Sequence, residues 1–326
     1  MVRGTYIKVD AGGRRISSSD ESNLVPVMPS LEEAAELVAR PGSVLWRCAG
    51  DARLLGLAGY PILLQVAHPT VGAGVAEHSG FKTDPWGRLL RTLDYSYALT
   101  FGGPRLAWEV GRRVRAFHTS IRGVRPDGQR YHALEPTAYA WVHATLADAI
   151  VRGHQVFGCH MNRSEIDEFW IRWKRQGRLV GVREQDLPES WTEFRTYFDD
   201  IVERELGDNE AVQDVLAALS DPARPPLPLL GERAWRIARL PAVHSTALAT
   251  IGFLPPRLRE RFGVEWGAGD ERRFRLLAAT SRVATPLMPD RLRNIGPTYL
   301  RQRRAALERG DVADPARAPP PTSAAA

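Results

Sequence analysis

The sequence predicts an all-α protein, built as a single large helical domain. Three observations carry that expectation. Apolar residues recur at helical spacing over long runs that open on Ser, Asp or Pro and close on Gly or Pro. Few stretches alternate as strands do, and no internal repeat is found. Apolar residues make up 44% of the 326 positions, with nine Trp, which is ample for a packed core. The helical domain is expected over 28–308, between a flexible N-terminal segment at 1–27 and a disordered Pro/Ala-rich tail at 309–326.

The elements follow in order. Ser30 with Glu33 makes a capping box for a first helix, which Pro41-Gly42 ends. Gly50-Asp51 caps a helical Ala52–Ala58, and apolar spacing continues to Pro69, which suits the first turn of a helix over Thr70–His78. Gly72 and Gly74 make that helix narrow. Asp84-Pro85 opens a helix running to Phe101, which Gly102-Gly103-Pro104 breaks. A second run covers 104–122, with Leu106, Val110, Val114, Phe117 and Ile121 on one side. Residues 123–130 read as a turn or short hairpin. Glu135-Pro136 opens a long helix through Phe157, and an amphipathic helix starts at Ser164. Further helices are expected near 189–206, 210–220, 231–240, 256–262, 269–283 and 288–308.

Composition excludes several classes. The formal charge of +6 comes almost wholly from arginine, since only Lys8, Lys82 and Lys174 are lysine. The basic residues are interspersed with 38 acids, so no nucleic-acid footprint is formed. Two cysteines, Cys48 and Cys159, give no disulfide framework and no Cys-x-x-Cys site, which points to a reducing compartment. The N-terminus lacks an apolar signal core, so a cytoplasmic protein is expected. Leu54–Ala76 carries no charge and is long enough to cross a bilayer, but Pro61, Gln65, His68 and Pro69 interrupt it. A buried pair of short helices is expected there instead. No Gly-x-Ser-x-Gly elbow, P-loop or His-Glu-x-x-His is present.

The chemistry concentrates between His68 and His118. Arg88, Arg91 and Thr92, at i, i+3 and i+4, share one helix face. Their bland interpretation is a solvated basic face paired through Asp94, with the Thr92 hydroxyl bonded back to the Arg88 carbonyl. Yet Leu89, Leu90, Leu93, Tyr95 and Tyr97 make the helix apolar on most sides, so at least one arginine should point inward and need a partner. His118 lies beside an apolar stripe. It is either a satisfied core histidine or an axial ligand, since a neutral imidazole suits haem iron. Arg112, Arg113 and Arg115 precede it and could meet acidic propionates. His143, flanked by aromatics, is a second ligand or a supporting group, while His154 and His160 look peripheral. His68, His78 and Glu77 offer an alternative, non-haem metal set. A histidine facing polar groups from a second helix is how helical proteins build a haem or metal pocket. The expected architecture is therefore a globin-like core with a buried cofactor pocket between helices.

Five stretches in order carry a family resemblance: GDARLL (50–55), LLQVAHPTVGAGVAEHS (63–79), DPWGRLLRTL (84–93), RAFH (115–118) with Gly123 after it, and WVHATL (141–146). Over about 45–155 the chain resembles the MpaB-type oxygenases, the domain shared with latex-clearing protein, a rubber oxygenase. The resemblance implies a helical fold holding non-covalent haem b, with His118 as the proximal iron ligand. It also implies that Arg88, Arg91 and Thr92 stand where the family has a distal Arg-x-x-Lys-Thr motif. The implied reaction is cleavage of an isoprenoid C=C bond by O2 to carbonyl products. This chain departs by carrying Arg91 in place of lysine. A guanidinium is always charged and is not expected to ligate iron, so Arg91 would instead stabilise negative charge developing on dioxygen. The missing signal core favours a small lipophilic substrate over a secreted polymer. A non-catalytic haem sensor or carrier, a non-haem metal oxygenase and a helical interaction protein are the alternatives.

Overall fold

A computed structural model describes residues 28–309 apart from 159, 223 and 225–230. The N-terminal segment expected at 1–27 lies outside the described residues, as does nearly all of the expected tail at 309–326. The architecture is helical, with one small hairpin. Helices α1 (Leu31–Leu37), α2 (Val44–Ala49), α3 (Gly59–Ala67) and α4 (Pro69–His78) lead into an antiparallel pair, α5 (Pro85–Phe101) and α6 (Gly103–His118). Strands β1 (Arg122–Val124) and β2 (Arg130–His132) pair antiparallel, with Gly123 opposite Tyr131. Then come α7 (Pro136–Phe157), α8 (Arg163–Gln176), α9 (Trp191–Arg204), α10 (Glu210–Ser220), α11 (Glu232–Phe253), α12 (Pro256–Arg261), α13 (Ala268–Ala284), α14 (Asp290–Arg293) and α15 (Gly296–Glu308).

Local sequence explains most of these starts. Ser30 accepts from the Glu33 amide while Glu33 accepts from the Ser30 amide, the reciprocal box expected there. Asn162 with Glu165 and Ser190 with Glu193 do the same for α8 and α9. Asp84 accepts from the Gly87 amide at 2.8 Å, and Pro85 fills the first turn of α5.

Helix α7 runs through the core, packed by α2, α3, α8 and α13. Its Trp141, Ala144, Ala147 and Val151 are buried with Tyr60, Trp170, Phe194 and Phe198 in one continuous cluster. The uncharged stretch Leu54–Ala76 folds as the short helices α3 and α4 rather than one long helix, with a break at His68. No helix among the described residues is long and apolar enough to cross a membrane.

Four boundaries differ from the sequence expectation. The Asp51-capped segment Ala52–Leu57 winds as a 3-10 helix. Helix α6 stops at His118, because Ala133 donates back to the Ile121 carbonyl as the hairpin begins. Helix α11 runs on through Pro241 to Phe253, where Leu248, Ala249, Ile251 and Phe253 are buried. Tertiary packing there overrides a residue that normally ends helices. The helix expected over 288–308 is split at Asn294. Ile295 donates to the Gly50 carbonyl at 2.9 Å and Asn294 Nδ2 to the Trp46 carbonyl at 3.2 Å, which pins the chain to the end of α2.

Candidate active site at the α5–α6 hairpin

The hairpin geometry brings the site together. Helix α5 closes at Gly102, and Gly103 takes the left-handed φ of +75° that lets α6 return alongside it. The last turn of α6 therefore lies beside the first turns of α5, so His118 comes close to Arg88. Gly111 fixes the depth of α6, because any Cβ there would collide with the Leu179 carbonyl.

His118 is held by its own helix. Its Nδ1 lies 2.7 Å from the Val114 carbonyl oxygen. A carbonyl only accepts, so Nδ1 carries the proton and Nε2 carries the lone pair. Nε2 has no hydrogen bond among the described residues. The ring edge meets Phe117 at 5.4 Å and Tyr139 at 5.6 Å between centroids. Burial lowers the His118 pKa, the Val114 carbonyl opposes that, and the Arg88 guanidinium and His132 lower it further. The imidazole is thus neutral at ordinary pH, with a lone pair available to a metal.

Arg88 is reached by solvent, yet desolvation is the main influence on its guanidinium and lowers its pKa, followed by repulsion from Arg91. Both facts describe a side chain standing in a recess. Its Nη1 donates to Thr92 Oγ1, and that hydroxyl donates to the Arg88 carbonyl at 2.9 Å. No carboxylate pairs with Arg88 among the described residues. Arg91 instead lies 3.3 Å from Asp84, the cap of its own helix. Asp94, the acid that a solvated basic face would pair with these arginines, turns to α15. It accepts from Tyr299 at 2.5 Å and pairs with Arg303 at 2.8 Å.

The remaining sequence candidates separate. Arg115 lies one turn before His118 and close to Tyr139, with its guanidinium over Gly181, where a Cβ would displace it. His143 stacks on Trp173 at 4.7 Å and 15°, and its Nε2 lies 2.8 Å from the Trp173 carbonyl. Burial lowers its pKa to about 4. It is not brought to the α5–α6 recess but packs behind it, one turn beyond Tyr139 on α7. His68 faces Glu205 at 3.3 Å, whereas His78 faces Glu77 at 3.8 Å, and Glu77 accepts from Tyr131 at 2.5 Å. Among the described residues no three His, Cys, Asp or Glu side chains come together as a metal-binding group. A separate cleft lined by Leu37, Leu45, Arg172 and Arg175 contains none of these residues.

Sequence reasoning gave no role to three parts of this region. Tyr139 closes over His118 while its phenol donates to the Val180 carbonyl at 3.0 Å, and burial pushes it up to about 12. Only its helical register with His143 could have marked it. His132, on β2, completes the surroundings of His118. His154, expected at the periphery, is buried. Its Nε2 lies 3.1 Å from the Cys48 carbonyl, beside Asp51. Asp51 in turn holds Arg53, which donates to the Phe157 carbonyl at 2.7 Å and to Thr285 at 3.0 Å. GDARLL therefore supplies a lock between α7 and the end of α13.

Residues 46–283 match the family described as ER-bound oxygenase mpaB/B'/Rubber oxygenase, catalytic domain. Two uncharacterised proteins, from Mycobacterium bovis and Mycobacterium tuberculosis, are each 27% identical over 238 residues, covering 71% of this chain and 88% of theirs. No solved structure matches. The family match takes in α5, α6 and α7 together with the core behind them, and the chain belongs to the MpaB and rubber oxygenase family through that family's oxygenase catalytic domain.

Proposed function

We propose that this oxygenase depends on haem b and acts with O2 on a small lipophilic, isoprenoid-type alkene. One observation carries the haem assignment. His118 has Nδ1 fixed by the Val114 carbonyl and an unshared Nε2 lone pair beside Arg88, an arginine without a carboxylate partner among the described residues. That donor set fits haem. A ligating histidine needs its second nitrogen bonded so that tautomer and ring orientation are set. His118 would hold the iron, and Arg115, one turn earlier, would meet a propionate. When bound, haem supplies the oxygen chemistry.

The chain's own groups supply orientation and charge. Thr92 spends its hydroxyl proton on the Arg88 carbonyl and accepts from the Arg88 guanidinium, so it positions Arg88 rather than donating to a reacting oxygen. Arg88 and Arg91 together offer fixed positive charge to whatever negative charge develops in the recess. Asp84 holds Arg91 in place. His143 supports the α7 wall and is not a ligand in this proposal. In the proposed reaction one O2 and one C=C bond give two carbonyl groups, so both oxygen atoms enter product. A cytoplasmic setting is supported by cysteine use, since two cysteines in 326 residues make no disulfide framework.

The test is oxygen uptake by haem-loaded protein with an isoprenoid alkene. Arg88→Met and Arg91→Met should keep haem and slow uptake by roughly a hundredfold, the scale of losing one preorganised charge-stabilising donor. Undiminished uptake in both variants would remove the arginines from the mechanism. A haem-loaded wild type that consumes no oxygen with alkenes would favour a sensor or carrier.

A further inference from the structure

Helix α13 has two apolar faces, and the core uses one of them. Phe274 packs edge-on against Phe253 at 5.7 Å, Ala278 is buried, and Ser281 donates to the Phe157 carbonyl at 3.0 Å. The opposite face is bare. Leu276 is 68% exposed, Val283 72%, and Leu287, in the 3-10 turn that continues the helix, 82%. Their spacing of seven and four residues puts all three within about 40° of one another around the axis. Ala279 and Thr280, also exposed, sit between them, so no charge interrupts the stripe.

The stretch that bears the stripe is one-sided in charge, and the next acid beyond it, Asp290, is paired with Arg293. From Arg272 to Pro289 the chain carries four arginines and no Asp or Glu. The acids just before this stretch are tied to the start of the helix. Asp270 pairs with Arg273 at 3.1 Å and caps Gly267, while Glu271 takes bonds from Arg275 and Trp266. Arg272 heads the stripe with no partner among the described residues. A second copy of the chain is a poor occupant. A two-fold contact along α13 would set an arginine-bearing, acid-free face against its own like charges.

We propose that the outer face of α13 docks on an anionic lipid bilayer, with Leu276, Val283 and Leu287 entering the headgroup boundary and Arg272 meeting phosphates. The helix is long enough to lie in the interface, and none among the described residues is suited to span it. The surface stands on its own geometry. If the substrate is lipophilic, as proposed above, the bilayer is also the phase that holds it.

Vesicle flotation of the full-length protein tests this without reading haem or turnover, so its outcome is separable from the haem assignment. The protein should float with vesicles of phosphatidylcholine and phosphatidylglycerol in equal parts and stay behind with phosphatidylcholine alone. Combined Leu276→Ser, Val283→Ser and Leu287→Ser should lower binding about tenfold or more while circular dichroism stays unchanged. Arg272→Glu should lower it severalfold, and added salt should weaken the wild type. Wild type that stays unbound on the anionic vesicles would overturn the proposal, as would a triple variant that floats equally well. So would light scattering that shows a dimer separated by the triple variant.

Discussion

Acid should loosen this protein through His143. The ring is buried, stacked on Trp173 with Nε2 2.8 Å from the Trp173 carbonyl. Burial lowers its pKa from 6.5 to about 4, outweighing that hydrogen bond. The sign follows from proton counting. Above 6.5 the ring is neutral in folded and unfolded chains alike. Below it the unfolded chain takes a proton that the folded chain refuses, so stability is lost as pH falls from 6.5 towards about 4. Below both values the loss from this one group is roughly 3 kcal/mol. Burial also lowers His68, His118 and His154, and they act in the same direction, so a variant is needed to isolate His143. Urea unfolding of wild type and His143→Gln at neutral pH and at about pH 4.5 provides it. The variant should lose stack and hydrogen bond at neutral pH, yet show an acid loss smaller by roughly 2–3 kcal/mol. Its haem spectrum should match wild type, since the imidazole is committed to Trp173. An identical acid loss in both proteins, or a variant with altered iron bands, would refute this account of His143.

Two further perturbations probe the frame around the site. Gly111→Ala drives a methyl into the Leu179 carbonyl and should cost about 1–3 kcal/mol in urea unfolding and weaken haem retention, because α6 ends on His118. A cost within about 0.5 kcal/mol of zero would mean α6 is not held at that depth. Asp148 is fully buried, accepts from Tyr60 at 2.6 Å, pairs with Arg195, and lies 3.7 Å from Arg152. Asp148→Asn leaves Arg152 without its acid and Arg195 with Asp199 alone, and should cost about 3 kcal/mol, at the lower end for a broken buried pair because both arginines keep solvent contact. An unchanged melting curve would show the network to be surplus.

What the sequence made legible was local. Asp84-Pro85 and Gly102-Gly103-Pro104 mark the limits of α5 and the turn into α6, so the pairing of Arg88 with the His118 end follows from spacing alone. Ser30 with Glu33 is a cap before any fold exists. What stayed hidden depends on partners far along the chain. Asp94 lies three residues from Arg91, yet its hydrogen bonds go to Tyr299 and Arg303, more than 200 residues away. His154 looked peripheral because the Cys48 carbonyl it meets is 106 residues earlier. The break at Asn294 is set by Gly50 and Trp46, and nothing in 288–308 announces it. Pro241 misled in the opposite sense, as a local breaker overruled by the buried face that follows it. At the site, the i, i+4 relation of Arg88 and Thr92 already contained their mutual hydrogen bonds. Tyr139 required the third helix to be in place before it could be matched to His118.

The most direct test of the central claim is the absorption spectrum of purified protein before and after dithionite, with haem quantified as the pyridine haemochromogen, for wild type and His118→Ala. The account predicts stoichiometric b-type haem in wild type and its loss in His118→Ala, with both proteins folded by circular dichroism. A colourless wild type after expression with added haem, or a variant that keeps full haem and an unchanged spectrum, would contradict it.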